Sequence, residues 1–140
     1  MKLLENLFKP KPFVPYQLFG HEGLRELVSN FYWIMENDKA AQDCLRVHEL
    51  ENDQVPPLVK EKLFEFLCGW TGGPQLFIQK HGPPRMRQRH IQIQIGAKEA
   101  GQWLYCMEKA LEKSSIKLGK KHKQLMLKSF AALAVRIQNQ

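Results

Sequence analysis

The sequence predicts an all-α chain, and three observations carry that expectation. Four long stretches place apolar residues at helical spacing, and prolines and glycines stand where those helices would start and stop. The stretch with strand-like alternation, Ile91, Ile93 and Ile95, finds no partner strand elsewhere in the 140 residues. An isolated strand would leave its backbone N–H and C=O groups unpaired, so this segment is expected as an extended loop with its isoleucines turned inward.

Residues 1–18 carry Pro10, Pro12 and Pro15 close together, which breaks any continuous helix, and they are expected to form an N-terminal arm ahead of a domain spanning 19–140. After Gly20, the segment GLRELVSNFYWIME sets Leu24, Leu27, Val28, Phe31 and Met35 on one helical face. A polar stretch with a short helical piece follows, up to Pro56-Pro57, residues suited to a helix N-terminus. Val59, Leu63, Phe66, Leu67 and Trp70 then recur at helical spacing until Gly72-Gly73-Pro74 stops the helix. PQLFIQKHG reads as a short helix. From Lys98 a further long helix carries Trp103, Cys106, Met107, Ala110 and Leu111 on one face. A last one, about 119–138, carries Met126, Phe130, Leu133 and Ile137. Between these two, KSSIKLGKKHK is basic and expected at the surface.

An apolar fraction of 44% with 25% charged residues is ordinary for a globular protein and excludes a disordered chain. A chain this long buries roughly two thirds of its unfolded surface, enough for one core and one small-molecule pocket. The net charge of +7 suits an anionic partner, whether nucleic acid, an acidic surface or a cofactor bearing carboxylates, and equally a solvated basic face. Cys44, Cys68 and Cys106 are scattered and form no C-x-x-C pair, so neither a disulfide framework nor a zinc site is expected, and a reducing cytoplasm fits best. Glu5, Asn6 and Lys9 interrupt any secretory apolar run, and no stretch of about 18 apolar residues predicts a membrane span.

Enzyme signatures are missing: there is no G-x-S-x-G, P-loop or H-E-x-x-H, and His21, His48, His81, His90 and His122 lack zinc spacing. No catalytic residue is assigned. His90, in HGPPRMRQRHIQIQIG, follows three arginines, and a lone histidine in a basic loop is ordinarily solvated or structural. Its company differs, however. A buried imidazole needs an acceptor or a metal, and the neighbouring isoleucines supply only an apolar wall. An all-α chain with such a histidine, large aromatics on two helices and basic residues beside it has the ingredients to hold a haem.

FYWIM at 31–35, KEKLFEFLCGWTGGP at 60–74, HGPPRMRQRH at 81–90 and GQWLYCMEKAL at 101–111, in this order and at these intervals, resemble the truncated haemoglobins of the second group. The resemblance covers Gly20 to Leu111. It implies a two-over-two helical sandwich, a truncated globin fold, around haem b, with His90 as the proximal iron ligand. It also implies Tyr32, His48 and Trp103 on the distal side, Phe31, Val59, Leu63, Phe66, Leu67 and Ile95 as pocket walls, and Arg87 or Arg89, with Arg85, paired to the haem propionates. Departures from the family pattern are Glu49 where many members have proline, Pro83 where many have histidine, and His21-Glu22 between Gly20 and Gly23 in place of a tight glycine pair.

The expectation is then a cytoplasmic haem protein, monomeric or weakly dimeric, that binds dioxygen and other small diatomic or anionic ligands, with redox turnover of oxygen or nitrogen species through a reductase as an open extension. Neither nucleic acid nor membrane is among its expected partners. The rival reading is a haem-free, basic helical nucleic-acid-binding module using Arg85, Arg87, Arg89 and the lysines of 117–128 on phosphates.

Overall fold

The computed structural model describes residues 11–140. Helix α1 spans Pro15–Asn37 and is kinked at Gly20, which takes φ 63°, ψ −173°. A Cβ at Gly20 would meet nothing within 4 Å, so it is the dihedral alone that calls for glycine there. A 3₁₀ turn over Lys39–Ala41 leads into α2, Gln42–Arg46. Helix α3 spans Pro57–Trp70, α4 Leu76–His81, α5 Met86–Arg89, α6 Ala97–Lys113 and α7 Lys120–Ile137.

Part of the expected arm belongs to the helical domain. Pro15 through Leu18 form the opening turn of α1, because proline at the first helical positions removes an N–H that has no partner there anyway. Residues 1–10 of the expected arm lie outside the described residues. The start of α1 is tied to the end of α3, where the Tyr16 N–H donates to the Thr71 carbonyl at 3.0 Å. Gly72-Gly73 make this approach feasible. Gly72 takes φ +98°, and a Cβ on Gly73 would sit 2.4 Å from the Tyr16 ring.

Two antiparallel layers build the core. Helix α1 packs on α3, α6 packs on α7, and α1 against α6 joins the pairs in a two-over-two sandwich. The buried faces are those expected from the periodicity: Leu24, Leu27, Val28, Phe31 and Met35 on α1, Cys106, Met107, Ala110 and Leu111 on α6, Met126, Phe130, Leu133 and Ile137 on α7. Each large apolar side chain so buried contributes about 1.5–3 kcal/mol. On α3, Phe64, Leu67 and Cys68 are buried in this core, whereas Val59, Leu63 and Phe66 are half-buried and pack against its edge. No Cα of α3 comes within 8 Å of α5, α6 or α7.

Two local expectations need correction. The segment after His90 is not extended with all three isoleucines inward: the Ile93 N–H donates to the His90 carbonyl at 3.0 Å, closing a turn that satisfies backbone groups without a partner strand. The turn leaves Ile91 65% exposed, while Ile95 is buried and Ile93 lies between. The 113–123 segment is only partly at the surface. Ser114 is fully buried, and Ile116 and Leu118 pack on the core. There the Glu26 carboxylate accepts from the Ser115 N–H (2.7 Å) and from the Ser115 and Ser114 hydroxyls (3.0 and 3.2 Å), which holds its pKa below the usual carboxylate value, the Ser115 N–H being the largest cause.

Candidate functional site: a histidine and a series of polar-tipped aromatics

His90 caps the C-terminus of α5, and its Nδ1–H donates to the Met86 carbonyl at 2.6 Å. That bond selects the tautomer and leaves Nε2 with a free lone pair, the form in which imidazole binds a metal. Among the described residues none hydrogen-bonds Nε2. The backbone of His90 is fixed separately by Asn139, whose Nδ2 donates to the His90 carbonyl at 2.9 Å.

A train of rings gathers the other expected residues. His48 meets Tyr32 edge-on at 6.3 Å between centroids, Tyr32 meets Phe31 at 4.9 Å, Phe31 meets Trp103 at 5.4 Å, and Trp103 meets Phe130 at 6.0 Å. Phe31 is fully buried and is the ring that both Tyr32 and Trp103 meet edge-on. Neither the Tyr32 hydroxyl nor the Trp103 indole N–H has a hydrogen-bond partner among the described residues. Burial pushes the Tyr32 phenol well above its ordinary pKa, so it remains a donor.

His48 sits just beyond α2, and its Nδ1–H donates to the Cys44 carbonyl at 3.0 Å. Helix α2 is itself held by one side chain of α6: Gln102 donates to Asp43 Oδ2 at 2.8 Å and accepts the Cys44 N–H at 2.9 Å. Burial lowers the His48 pKa, the Cys44 and Leu45 carbonyls oppose that shift, and His90 is near enough to add to the lowering.

The walls divide in two. Val59, Leu63 and Phe66 of α3, with Met86 and Trp103, are half-buried apolar surface. Leu67 lies fully inside the main core, and Ile95 belongs to a second cluster with Ala100, Ala134 and Ile137, which Met86 and Trp103 bridge to the first. The arginines also separate. Arg89 is engaged: its Nη2 donates to the His81 and Pro83 carbonyls at 3.0 and 3.2 Å, and its guanidinium lies 5.0 Å from the Phe77 ring centre. Arg85, in the left-handed region at φ 43°, and Arg87 are exposed and line a groove with Arg136 of α7.

Sequence reasoning missed three residues that shape the site. Gln102 and Asn139 leave no local pattern, since their partners are 44 to 59 residues away. Glu65 had a signal, a carboxylate inside the apolar run LFEFLCGW. It is 2% exposed; its Oε2 forms an ion pair with Lys80 Nζ at 2.7 Å and its Oε1 accepts from His81 Nε2 at 3.1 Å. Burial by itself would raise its pKa; Lys80 and then His81 overcome that and hold it below the usual value.

The pattern of the family described as bacterial-like globin matches residues 16–139. The chain belongs to the bacterial-like globins. Among relatives, this globin is 34% identical over 98 residues to the group 2 truncated haemoglobin YjbI of Bacillus subtilis (strain 168), covering 70% of this chain and 69% of that one. Its fold is similar to the cold-adapted truncated haemoglobin of Pseudoalteromonas haloplanktis TAC125, with TM-score 0.82, 34% identity, and 91% and 98% of the two chains covered. It is also similar to the group II 2-on-2 haemoglobin of Agrobacterium tumefaciens, with TM-score 0.82, 27% identity, and 95% and 99% covered. This globin is thus a truncated haemoglobin of the second group, a haem-binding, oxygen-related protein of the kind that takes small gaseous ligands. No described helix is long and apolar enough to cross a membrane.

The residues present fit a haem. A free imidazole lone pair, half-buried apolar side chains on α3, two unpartnered polar aromatic tips and two uncommitted arginines are the groups that an iron, a flat macrocycle, a polar ligand and two carboxylates each require.

Proposed function

We propose that this globin holds haem b through His90 Nε2 and receives dioxygen and other small diatomic or anionic ligands on the side of Tyr32, Trp103 and His48. The observation that carries the reading is the His90 Nδ1–H bond to the Met86 carbonyl, which fixes the ligating tautomer. When bound, the haem would supply an iron that His90 would hold and that would bind a small ligand.

This chain's residues do the rest. Tyr32 and Trp103 offer O–H and N–H donors that need not give up another partner to serve a ligand. Neutral His48, with Nδ1–H committed to Cys44, presents a lone pair at Nε2 and becomes a donor there only when protonated, below the ordinary histidine range because burial lowers its pKa. Val59, Leu63 and Phe66 exclude water. Arg87 and Arg85, rather than the engaged Arg89, are the residues available to pair with propionates.

An oxygen ligand is supported by the likeness to the truncated haemoglobin of Bacillus subtilis described as oxygen-avid, at TM-score 0.74 and 25% identity over 90% of this chain and 99% of that one. The same donors would serve redox turnover of oxygen or nitrogen species with a reductase in the cytoplasm. The nucleic-acid reading has no comparable support: α5, which carries Arg87 and Arg89, is a single turn.

The test is ligand release. Each hydrogen bond to a ligand contributes about 1 kcal/mol or somewhat more if the acceptor is charged, so Tyr32→Phe and Trp103→Phe should each speed dioxygen dissociation at least about fivefold. Unchanged rates in both variants would refute the distal assignment.

A further inference from the structure

Helix α5 is one turn long, and a helix so short cannot hold its own place. Yet it ends on His90, and the loop behind it, 91–96, is a turn followed by extended chain. What fixes the loop comes from the segment after α7. The Asn139 side chain donates from Nδ2 to the carbonyls of His90 (2.9 Å) and Ile93 (2.6 Å) and accepts the Ile95 N–H at Oδ1 (2.9 Å). The backbone N–H groups of Asn139 and Gln140 both donate to the Ile95 carbonyl, at 2.8 and 3.1 Å.

One side chain therefore spends both amide protons and its oxygen on a single loop, across 44 to 49 positions of sequence. The reverse amide orientation would set its oxygen against two carbonyls and its NH₂ against an N–H, so the arrangement is unique. It also demands asparagine. An ionised aspartate keeps the acceptor but turns two attractive contacts into repulsions against carbonyls, and alanine removes all three bonds.

We infer that Asn139 is the positioning residue for the proximal histidine: it fastens the His90 backbone to the end of α7 while the Met86 carbonyl sets the angle of the ring. This inference rests on the haem reading of His90. Nearby Gln138, whose side chain among the described residues hydrogen-bonds only the Gln140 carbonyl, supplies the control position.

The experiment uses hemin-loaded full-length protein, wild type, Asn139→Asp, Asn139→Ala and Gln138→Ala. It reads the iron–histidine stretching band of the ferrous unliganded form by resonance Raman, and haem transfer to apomyoglobin. Amide exchange of Ile95 in the haem-free chain serves as an independent readout of the loop. The two Asn139 variants should broaden or shift the band, lose haem about tenfold faster or more, as perturbed support of a metal ligand does, and deprotect the Ile95 amide. Gln138→Ala should match wild type in all three. A band and transfer rate unchanged in Asn139→Asp, with Ile95 deprotected, would make the contact merely structural and overturn the inference while leaving the haem reading intact. A wild-type chain without the band would overturn both. Should Asn139→Asp not fold, Asn139→Ala, which introduces no charge, decides by the same readouts.

Discussion

Removing an exposed lysine should harm this protein more than neutralising the buried carboxylate it serves. Glu65 is 3% exposed at its side chain, Lys80 58% and His81 25%. Lys80→Met keeps the aliphatic stem but leaves a buried carboxylate with His81 as its remaining polar partner. Such stranding costs about 3–5 kcal/mol in a fully buried pair, whereas an exposed pair contributes about 1 kcal/mol or less. With only the carboxylate end buried, about 2–3 kcal/mol is expected, or a Tm lowered by about 6–9 °C. Glu65→Gln removes the charge while its amide still hydrogen-bonds, and its liberated Lys80 returns to water, so about 1 kcal/mol is expected. The pH dependence gives a second arm. In the native chain Glu65 titrates below its ordinary value, so its stabilisation is present above the ordinary carboxylate range and is lost as pH falls through the folded value. Without Lys80, burial is opposed by His81 alone and the carboxyl should titrate higher than in the native chain, so the Lys80→Met deficit should be largest near neutrality and shrink as the group protonates. Urea unfolding of both variants between pH 4 and pH 7 measures this. A Lys80→Met cost within the roughly 0.5 kcal/mol of an ordinary surface change, or one below that of Glu65→Gln, would refute the reasoning.

Other outcomes follow from the same packing and charge arguments. Phe130 is fully buried, stacked on Trp70 at 4.7 Å and edge-on to Trp103, so Phe130→Ala should cost about 3–5 kcal/mol in urea unfolding. The Glu26 carboxyl is held low chiefly by the Ser115 N–H, so its contribution is complete above the ordinary carboxylate value and disappears as pH falls below it. Glu26→Gln should therefore lower Tm at pH 7 and flatten the acid limb of a Tm-against-pH curve. Dioxygen dissociation from His48→Leu should lose any acceleration or slowing that the native protein shows as pH falls below the ordinary histidine range, since protonation of His48 Nε2 is what supplies it.

The long helices were legible because each carries its own evidence: an apolar stripe at 3.6-residue spacing and a proline or glycine at its ends. Pro15 shows how punctuation can mislead. Three spaced prolines suggested an arm, yet the last of them sits where α1 begins, a position that suits proline. The alternation of Ile91, Ile93 and Ile95 misled for a related reason. A two-residue period fits a pleated strand, but with no neighbour the chain closed a turn on His90, and that rotated Ile91 outward. Within the site, Tyr32, Trp103 and His90 were named through ordered sequence blocks and His48 by its place after the short helix, and ring contacts join His48, Tyr32, Phe31 and Trp103 in one series. That Arg89 is occupied by a pair of backbone carbonyls was not legible, because a carbonyl has no sequence signature. Asn139 lies at the far extreme: five hydrogen bonds join residues 139–140 to the 90–95 loop, all of them non-local.

The central claim, that this chain carries a haem on His90 Nε2, is tested most directly by titrating the haem-free protein with hemin and following the Soret band in wild type and His90→Gly, with and without added imidazole. The account predicts stoichiometric uptake by wild type, weakened or lost uptake by the variant, and recovery of the spectrum when imidazole fills the vacated position. A wild-type chain that takes up no hemin where a known globin does, or a His90→Gly variant with the wild-type spectrum and affinity, would contradict it.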